Sequence, residues 1–392
     1  MAEPTRDLDL VLFGATGFTG GLTADYLAEH GPDGLRWALA GRNQAKLEAV
    51  RSRLAATHDH LGELELVVVD AGDQAALADV VSRAKVAVTT VGPYQQLGGP
   101  LVAACAETGT DYVDLTGEPE FVDTTYVEQH KVAEASGARI VHACGFDSIP
   151  HDLGAYFTVR ELKADGPVTM RGVVRAAGTA SGGTFHSAMG AFSRAKQMTA
   201  AAKARRRAQG KPADGRSSRA VAGKPHRDKT LGYWLLPLPT LDPQVVARSG
   251  AALPAYGPDF RYSHYAGTKT LRYAAGGMAG VSLIAVAAQV PPARNFLLKK
   301  VPQGKGPDEA KRAKSWFTVE FVAEAGGHTL RTKVSGGDPG YTETAKMLAE
   351  SALCLAFDDN PPTAGSVTTA QAMGDNLITR LAAQGITFEV VG

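Results

Sequence analysis

Gly14-Ala15-Thr16-Gly17-Phe18-Thr19-Gly20 follows the apolar run Leu8 to Phe13 and precedes a helical stretch ending in Tyr26-Leu27. Residues of this kind at this spacing hold an anion with the backbone. A strand delivers the chain to a tight loop, and the next helix turns its unpaired N–H groups and positive dipole end toward a pyrophosphate. Gly14 suits the turn, Gly17 the approach of the anion and Gly20 the packing of helix on strand. Thr16 stands where the commoner fingerprint has its second glycine and offers a hydroxyl to phosphate; Phe18 and Thr19 belong to the same binding turn. The second strand, Leu35 to Ala40, runs into Gly41-Arg42-Asn43. A protein reading a free ribose usually has Asp or Glu there, whereas the Arg42 guanidinium can fork onto a 2′-phosphate. NADP(H) is therefore expected over NAD(H). Asp70-Ala71 is expected beside the adenine and Gly92-Pro93-Tyr94 beside the nicotinamide ribose, with ordinary turn chemistry as the alternative for each.

Groups able to move a proton lie on the turns facing such a cleft. Tyr94 can donate to a developing enolate oxygen or can simply pack. Asp114 and Glu118 flank the end of the fifth strand, where Glu118 reads better as a carboxylate that orders the loop. Asp147, Ser148, His151 and Asp152 fall at the junction between two domains, the usual place for a substrate cleft. His151 is the natural titrating group near neutral pH, although a histidine beside Asp152 also suits a structural role. Ser181 to Ser187, which includes His186, opens a helix whose amides can hold a carbonyl or carboxylate, or is an ordinary glycine-rich start. Tyr94, Asp147, His151 and His186 are thus the catalytic candidates. Cys105, Cys144 and Cys354 are odd in number and far apart, without clustered histidines, so neither a disulfide framework nor a metal site is expected.

Six short apolar strands alternating with helices, from Leu8 to Ala143, position these turns. That alternation specifies an α/β fold, a Rossmann domain on a doubly wound parallel sheet, over residues 1–147. Past Phe146 the elements lengthen. Val168 to Val174 reads as a strand, Ser187 to Ala204 as a helix, and Trp316 to Ala323 with His328 to Val334 as a hairpin. An α+β domain on an antiparallel sheet is expected over 148–340, followed by helices in 341–392 that pack back toward the cofactor domain.

The 41 Lys and Arg balance 40 Asp and Glu, which argues against a global nucleic-acid binder. Basic charge is instead local, from Arg194 to Lys229, where only Asp214 and Asp228 oppose it. Such a patch steers an acidic partner or anionic lipid, or is a solvated loop. The uncharged stretch Ala274 to Val290 reads as a buried element or the lining for an acyl chain, with peripheral membrane contact as the alternative. The polar amino terminus shows no secretory signal, so a cytoplasmic protein is expected, with membrane association left open.

Taken together, the opening Gly-rich phrase, Ala40-Gly41-Arg42, Val91-Gly92-Pro93-Tyr94, Asp111 to Glu118 and Gly145-Phe146-Asp147-Ser148-Ile149-Pro150 resemble the saccharopine dehydrogenase-like oxidoreductases. Gly304-Lys305-Gly306-Pro307, Trp316-Phe317 and Gly336 to Tyr341 resemble the branch that holds the trans-acting enoyl reductases. The resemblance implies an NADPH-dependent reductase of an unsaturated acyl or polyketide intermediate in lipid biosynthesis. It also implies a polyketide synthase or acyl carrier protein that presents the substrate. The family name keeps a second reading open, an imine-reducing saccharopine-type dehydrogenase, for which Arg160, Arg175 and Arg261 would converge on amino-acid carboxylates. A third is a non-catalytic NADP(H)-binding protein at a lipid or protein surface.

Overall fold

A computed structural model of the chain describes residues 6–178, 182–212, 214–301 and 306–391. Ser181 of the second glycine-rich turn and Gly304-Lys305 lie outside these residues. Strands β1 (Leu8–Phe13), β2 (Trp37–Gly41), β3 (Glu65–Val68), β4 (Ala84–Thr89), β5 (Asp111–Asp114) and β6 (Arg139–Val141) form the expected parallel sheet. Its order is β14-β6-β5-β4-β1-β2-β3, where β14 (Gly365–Val367) comes from the carboxyl-terminal part of the chain. Strand β1 is buried along its whole length, as a central strand covered on both faces must be. Strand order reverses between β1 and β4, so their carboxyl ends open the crevice in which such sheets bind ligands.

The second sheet contains β7 (Val168–Ala177), β8 (Ser217–Ala220), β9 (His226–Arg227), β10 (Trp234–Pro237), β11 (Asp259–Thr268), β12 (Trp316–Ala325), β13 (His328–Gly336) and β15 (Thr387–Val391). Its order is β15-β13-β12-β7-β11-β10-β9, with β8 on β11. The sheet is mixed where an antiparallel one was expected, because β11 runs parallel to both β7 and β8. Helix Ile149–Leu162 leaves the first sheet and packs across β12 and β13. One hydrophobic core therefore runs through both sheets, from Leu10 and Val113 to Phe317 and Phe321.

The carboxyl-terminal segment serves both halves. Helix Thr342–Phe357 packs on helix Phe18–His30, where the Tyr26 hydroxyl donates to Glu350 over 2.7 Å. The chain then adds β14 to the first sheet and β15 to the second. Two other expectations are corrected. The helix expected over Ser187–Ala204 is two helices, Gly182–Ser193 and Ala195–Gln209, broken at Arg194, which reaches away to pair with Glu120. The apolar stretch Ala274–Val290 forms part of helix Leu271–Gln289, yet it is not a buried element: Ala288 is its one described residue that is buried.

A carboxylate fixes the loops at the cleft. Asp114, fully buried at the end of β5, accepts from the Thr116 amide at 3.0 Å and the Ala143 amide at 2.8 Å. The Tyr112 hydroxyl and His142 Nδ1 complete its shell at 2.9 and 2.7 Å. Removing it strands two buried amides, a loss of roughly 3 kcal/mol or more. Asp114→Ala should accordingly lower the urea midpoint of unfolding with an unchanged m-value, whereas an exposed control such as Asp79→Ala should leave the midpoint in place.

Candidate functional site

The opening turn adopts the conformation that its glycines anticipate. Gly14 has φ +93°, and the Gly17 amide donates to its carbonyl at 2.9 Å. A Cβ on Gly20 would lie 2.1 Å from that same carbonyl, so only glycine lets helix Phe18–His30 sit this close to the turn. Thr16 and Gly17 are exposed at the helix start, where among the described residues no side chain caps the free amides and the first turn has no acid. That end is open to an anion. The Thr90 hydroxyl donates to Gly14 at 3.3 Å and the Thr90 amide to Phe13 at 3.0 Å, stitching the loop after β4 to the one after β1. Thr19 directs its carbonyl to the Thr23 hydroxyl. The Phe18 ring meets Tyr341 edge-on at 4.9 Å, which ties the binding turn to the carboxyl-terminal helix.

Arg42 is exposed past the end of β2 and makes no ion pair among the described residues, while Asn43 caps the following helix by accepting from the Lys46 amide at 3.0 Å. Asp70 and Ala71 follow β3 on the same side of the switch point, with Asp70 accepting from the Gly72 amide at 2.8 Å. These are the positions expected to hold the adenosine half of the cofactor. Gly92 and Pro93 follow β4 on the other side.

A cavity of about 640 Å3 opens there, walled by Pro93, Gln95, Glu118, His186, Arg194 and Leu298 among others. It lies between the first sheet's loops and the helices of the second domain. Glu118 orders its floor by accepting from the Tyr94 and Gln95 amides at 3.1 and 2.9 Å and from the Ser187 hydroxyl at 3.3 Å. His186 lines the cavity and holds the Val301 carbonyl with Nε2 at 2.7 Å. Tyr94 faces inward instead: its buried hydroxyl donates to the Thr89 carbonyl and accepts from the Leu115 amide. Burial and the charge of Asp114 hold its proton on. The Tyr94 hydroxyl is thus committed to backbone, and the cavity receives only its neighbours.

Behind the Thr116-Gly117-Glu118 loop lies a polar cluster. Asp147, half-buried between the ends of β5 and β6, approaches Gly117 so closely that a Cβ there would stand 3.0 Å from its Oδ2. No hydrogen bond stabilises its ionised form among the described residues. Desolvation, aided by the charge of Asp242, pushes its pKa up to about 7. His151 Nε2 lies 3.4 Å from Asp242 Oδ1, and His264 Nε2 lies 3.7 Å from Asp242 Oδ2. Burial drives both imidazoles down to about 3, so they are neutral near pH 7, and it raises Asp242. The Tyr262 hydroxyl fixes His264 through Nδ1 at 3.0 Å. Among the described residues, Ser148 Oγ, His151 Nδ1 and Asp242 Oδ1 have no hydrogen-bond partner. No metal was expected from the sequence; among the described residues, His151, Asp242 and His264 are the group close enough to share an ion, with one ligand atom each within 4.8 Å of the others. Asp152, by contrast, is wholly structural, bound by Ser249, Thr369 and the Ala370 amide.

Asp147, Ser148 and His151 are therefore brought together, while Tyr94 and His186 stand apart from them. Sequence reasoning missed Asp242 and His264. Asp242 precedes a proline at a helix start and His264 alternates along a strand, so each reads locally as ordinary architecture. Arg160, Arg175 and Arg261 do not converge. Arg160 pairs with Asp375, Arg175 stacks on Tyr233 with its charge 4.4 Å from the ring centre, and Arg261 pairs with Asp259 at 2.8 Å.

The saccharopine dehydrogenase NADP binding domain family matches residues 10–141, a span that includes the turn at Gly14–Gly20 and Arg42. A trans-acting enoyl reductase from Mycobacterium ulcerans is 34% identical over 98% of each chain. A Mycobacterium tuberculosis relative, provisionally given the same name, is 37% identical over 99% of each. Saccharopine dehydrogenase (L-Glu forming) from Saccharomyces cerevisiae shares the fold, with a TM-score of 0.55 at 13% identity over 98% of this chain and 100% of that one.

Two outcomes test this site. Arg42→Ala should weaken NADPH binding by about 10-fold or more and leave NADH binding unchanged, since a charge-assisted contact to phosphate contributes about 1.5–3 kcal/mol; titration of cofactor fluorescence measures both. Asp147 keeps its proton in the folded state where the unfolded chain releases it, so its contribution to stability is greatest at low pH and declines as pH rises through about 7. Asp147→Asn should remove that decline, read as a smaller difference between urea midpoints at about pH 6 and about pH 8 than the native chain gives.

Proposed function

The chain belongs to the saccharopine dehydrogenase-like oxidoreductases, in their trans-acting enoyl reductase branch, and from that premise we propose that it reduces the carbon–carbon double bond of an enoyl thioester during lipid or polyketide assembly. It is an NADP-dependent oxidoreductase. NADPH supplies a hydride when bound, here to the β-carbon of the enoyl group, while a proton goes to the α-carbon and the double bond is lost. The chain's own residues have three tasks: holding the cofactor, shaping the acyl site and keeping the proton.

Gly14 to Gly20 and Arg42 hold the two phosphate-bearing ends of the cofactor. The Glu118 carboxylate fixes the Tyr94-Gln95 backbone and with it the Pro93 wall of the cavity. Apolar groups on that cavity, Met198 and Leu298, suit an acyl chain. Asp147 keeps the proton. The cavity at the carboxyl ends of the strands, on the side of the sheet where the nicotinamide is expected and bearing Met198 and Leu298, is the observation that carries this reading; Asp147 lies behind its Glu118 loop, with a carboxyl pKa pushed up by burial. His151, Asp242 and His264 support it by packing neutral groups and one nearby carboxylate behind it.

Delivery by a carrier protein fits the local charge. Lys196, Lys203, Arg206 and Arg207 are exposed on helix Ala195–Gln209 and carry no ion pair among the described residues. Gln197 and Met198 of the same helix line the cavity. An acidic acyl carrier protein that docks on those cations would present its thioester at the mouth. Arg194 and Arg205 are not available to it, being paired with Glu120 and Asp123. The dispersal of Arg160, Arg175 and Arg261 weighs against an amino-acid substrate with two carboxylates to bind.

NADPH oxidation by purified protein should proceed with an enoyl thioester and not with an α-keto acid plus lysine or glutamate. Turnover on the amino-acid pair alone would overturn the proposal. Tight NADPH binding without turnover on either would favour a non-catalytic role. Asp147→Asn should lower kcat on the enoyl thioester by about 100-fold, the usual effect of losing a positioned proton donor, with NADPH affinity preserved.

A further inference from the structure

Helix Leu271–Gln289 and the following helix Pro291–Lys300 form a hairpin on the outside of the second domain. The first of these helices is 19 residues long with a mean hydropathy of 1.4. By that length it extends about 28 Å. Its large apolar side chains point outward: Tyr273 is 74% exposed, Leu283 70% and Val286 63%, and Phe296 on the second helix is 60% exposed. An isolated exposed leucine needs no explanation, but several large apolar side chains exposed along one hairpin mark an interaction surface.

Charge identifies what covers it. From Phe260 to Pro307 the sequence has no Asp or Glu at all, whereas Lys269, Arg272, Arg294, Lys299 and Lys300 border the apolar residues. None of these five cations makes an ion pair among the described residues. An exposed apolar surface rimmed only by cations is complementary to anionic headgroups above a hydrocarbon interior. The helix is also held along the protein body: it packs against helix Gly182–Ser193 and β10, and Gln289 donates to the Phe192 carbonyl. Held in this way, the helix is placed to lie along an interface.

We infer that the 271–300 hairpin docks this protein onto an anionic lipid membrane surface. The hairpin also supplies Arg294, Asn295 and Leu298 to the cavity wall, so docking sets the cavity mouth beside the lipid, where acyl chains reside. Docking stands independently of the reaction proposed above, because it rests on the exterior of the hairpin alone.

Flotation with vesicles tests it. The NADPH-loaded protein should float with phosphatidylglycerol-containing vesicles at low salt, float at least 10-fold less with pure phosphatidylcholine, and lose binding as salt rises. Leu283→Asp with Val286→Asp should abolish flotation, and Lys299→Glu with Lys300→Glu should reduce it at least 10-fold, both with NADPH affinity intact. Absence of flotation with either vesicle, or equal flotation by the Asp variant, would overturn the inference. Light scattering on the same samples separates the competing occupant: a native dimer that the Asp variant turns into a monomer, without vesicle binding by either, would assign the face to a second copy of the chain and overturn lipid docking.

Discussion

The buried carboxylate of Asp114 is the constraint on which the cleft depends. It ties the turn after β5 to the turn after β6 through the Thr116 and Ala143 amides. Once Thr116 is fixed, Gly117 lies against Asp147 and Glu118 reaches the amides after Pro93. Three loop ends at the cleft are thereby set by one anchored side chain. Its hydrogen bonds are buried, so the arrangement is rigid where an exposed network would yield to water.

Burial then determines the chemistry that these loops can do. The same desolvation acts in opposite senses on the charged forms of acids and bases. It holds Asp147 protonated to about pH 7 and keeps His151 and His264 neutral. A proton on a carboxyl beside unprotonated imidazoles is a different reagent from the histidine-centred site that residue types alone imply. The expected cofactor half contrasts with this: Thr16, Gly17 and Arg42 are exposed, which leaves their donors free for an anion.

Legibility in the sequence followed the range of each interaction. The cofactor turn and parallel sheet are local patterns, and β1 to β6 lie where the apolar runs place them. The family resemblance extended this to the whole chain and is met by relatives matched end to end. Tyr94 illustrates the opposite case: its place after β4 was readable, yet its hydroxyl turns to the Thr89 carbonyl for reasons of packing that no spacing reveals. Asp242 and His264 meet His151 only because helix Asp242–Ala252 and β11 are folded over helix Ile149–Leu162. Helix Leu271–Gln289 was recognisable as apolar, but composition cannot distinguish an apolar helix that is buried from one that is exposed.

We propose that this cleft, with NADPH bound, adds a hydride and a proton held by Asp147 across a carbon–carbon double bond. Turnover of an enoyl thioester with NADPH deuterated at the transferable position, and separately with ordinary NADPH in D2O, tests it most directly through the label pattern of the product. One deuterium is expected at the β-carbon in the first case and one at the α-carbon in the second, with Asp147→Asn depressing the rate of both. No saturated thioester, or cofactor-derived label appearing only on the carbon of a newly formed amine, would contradict it.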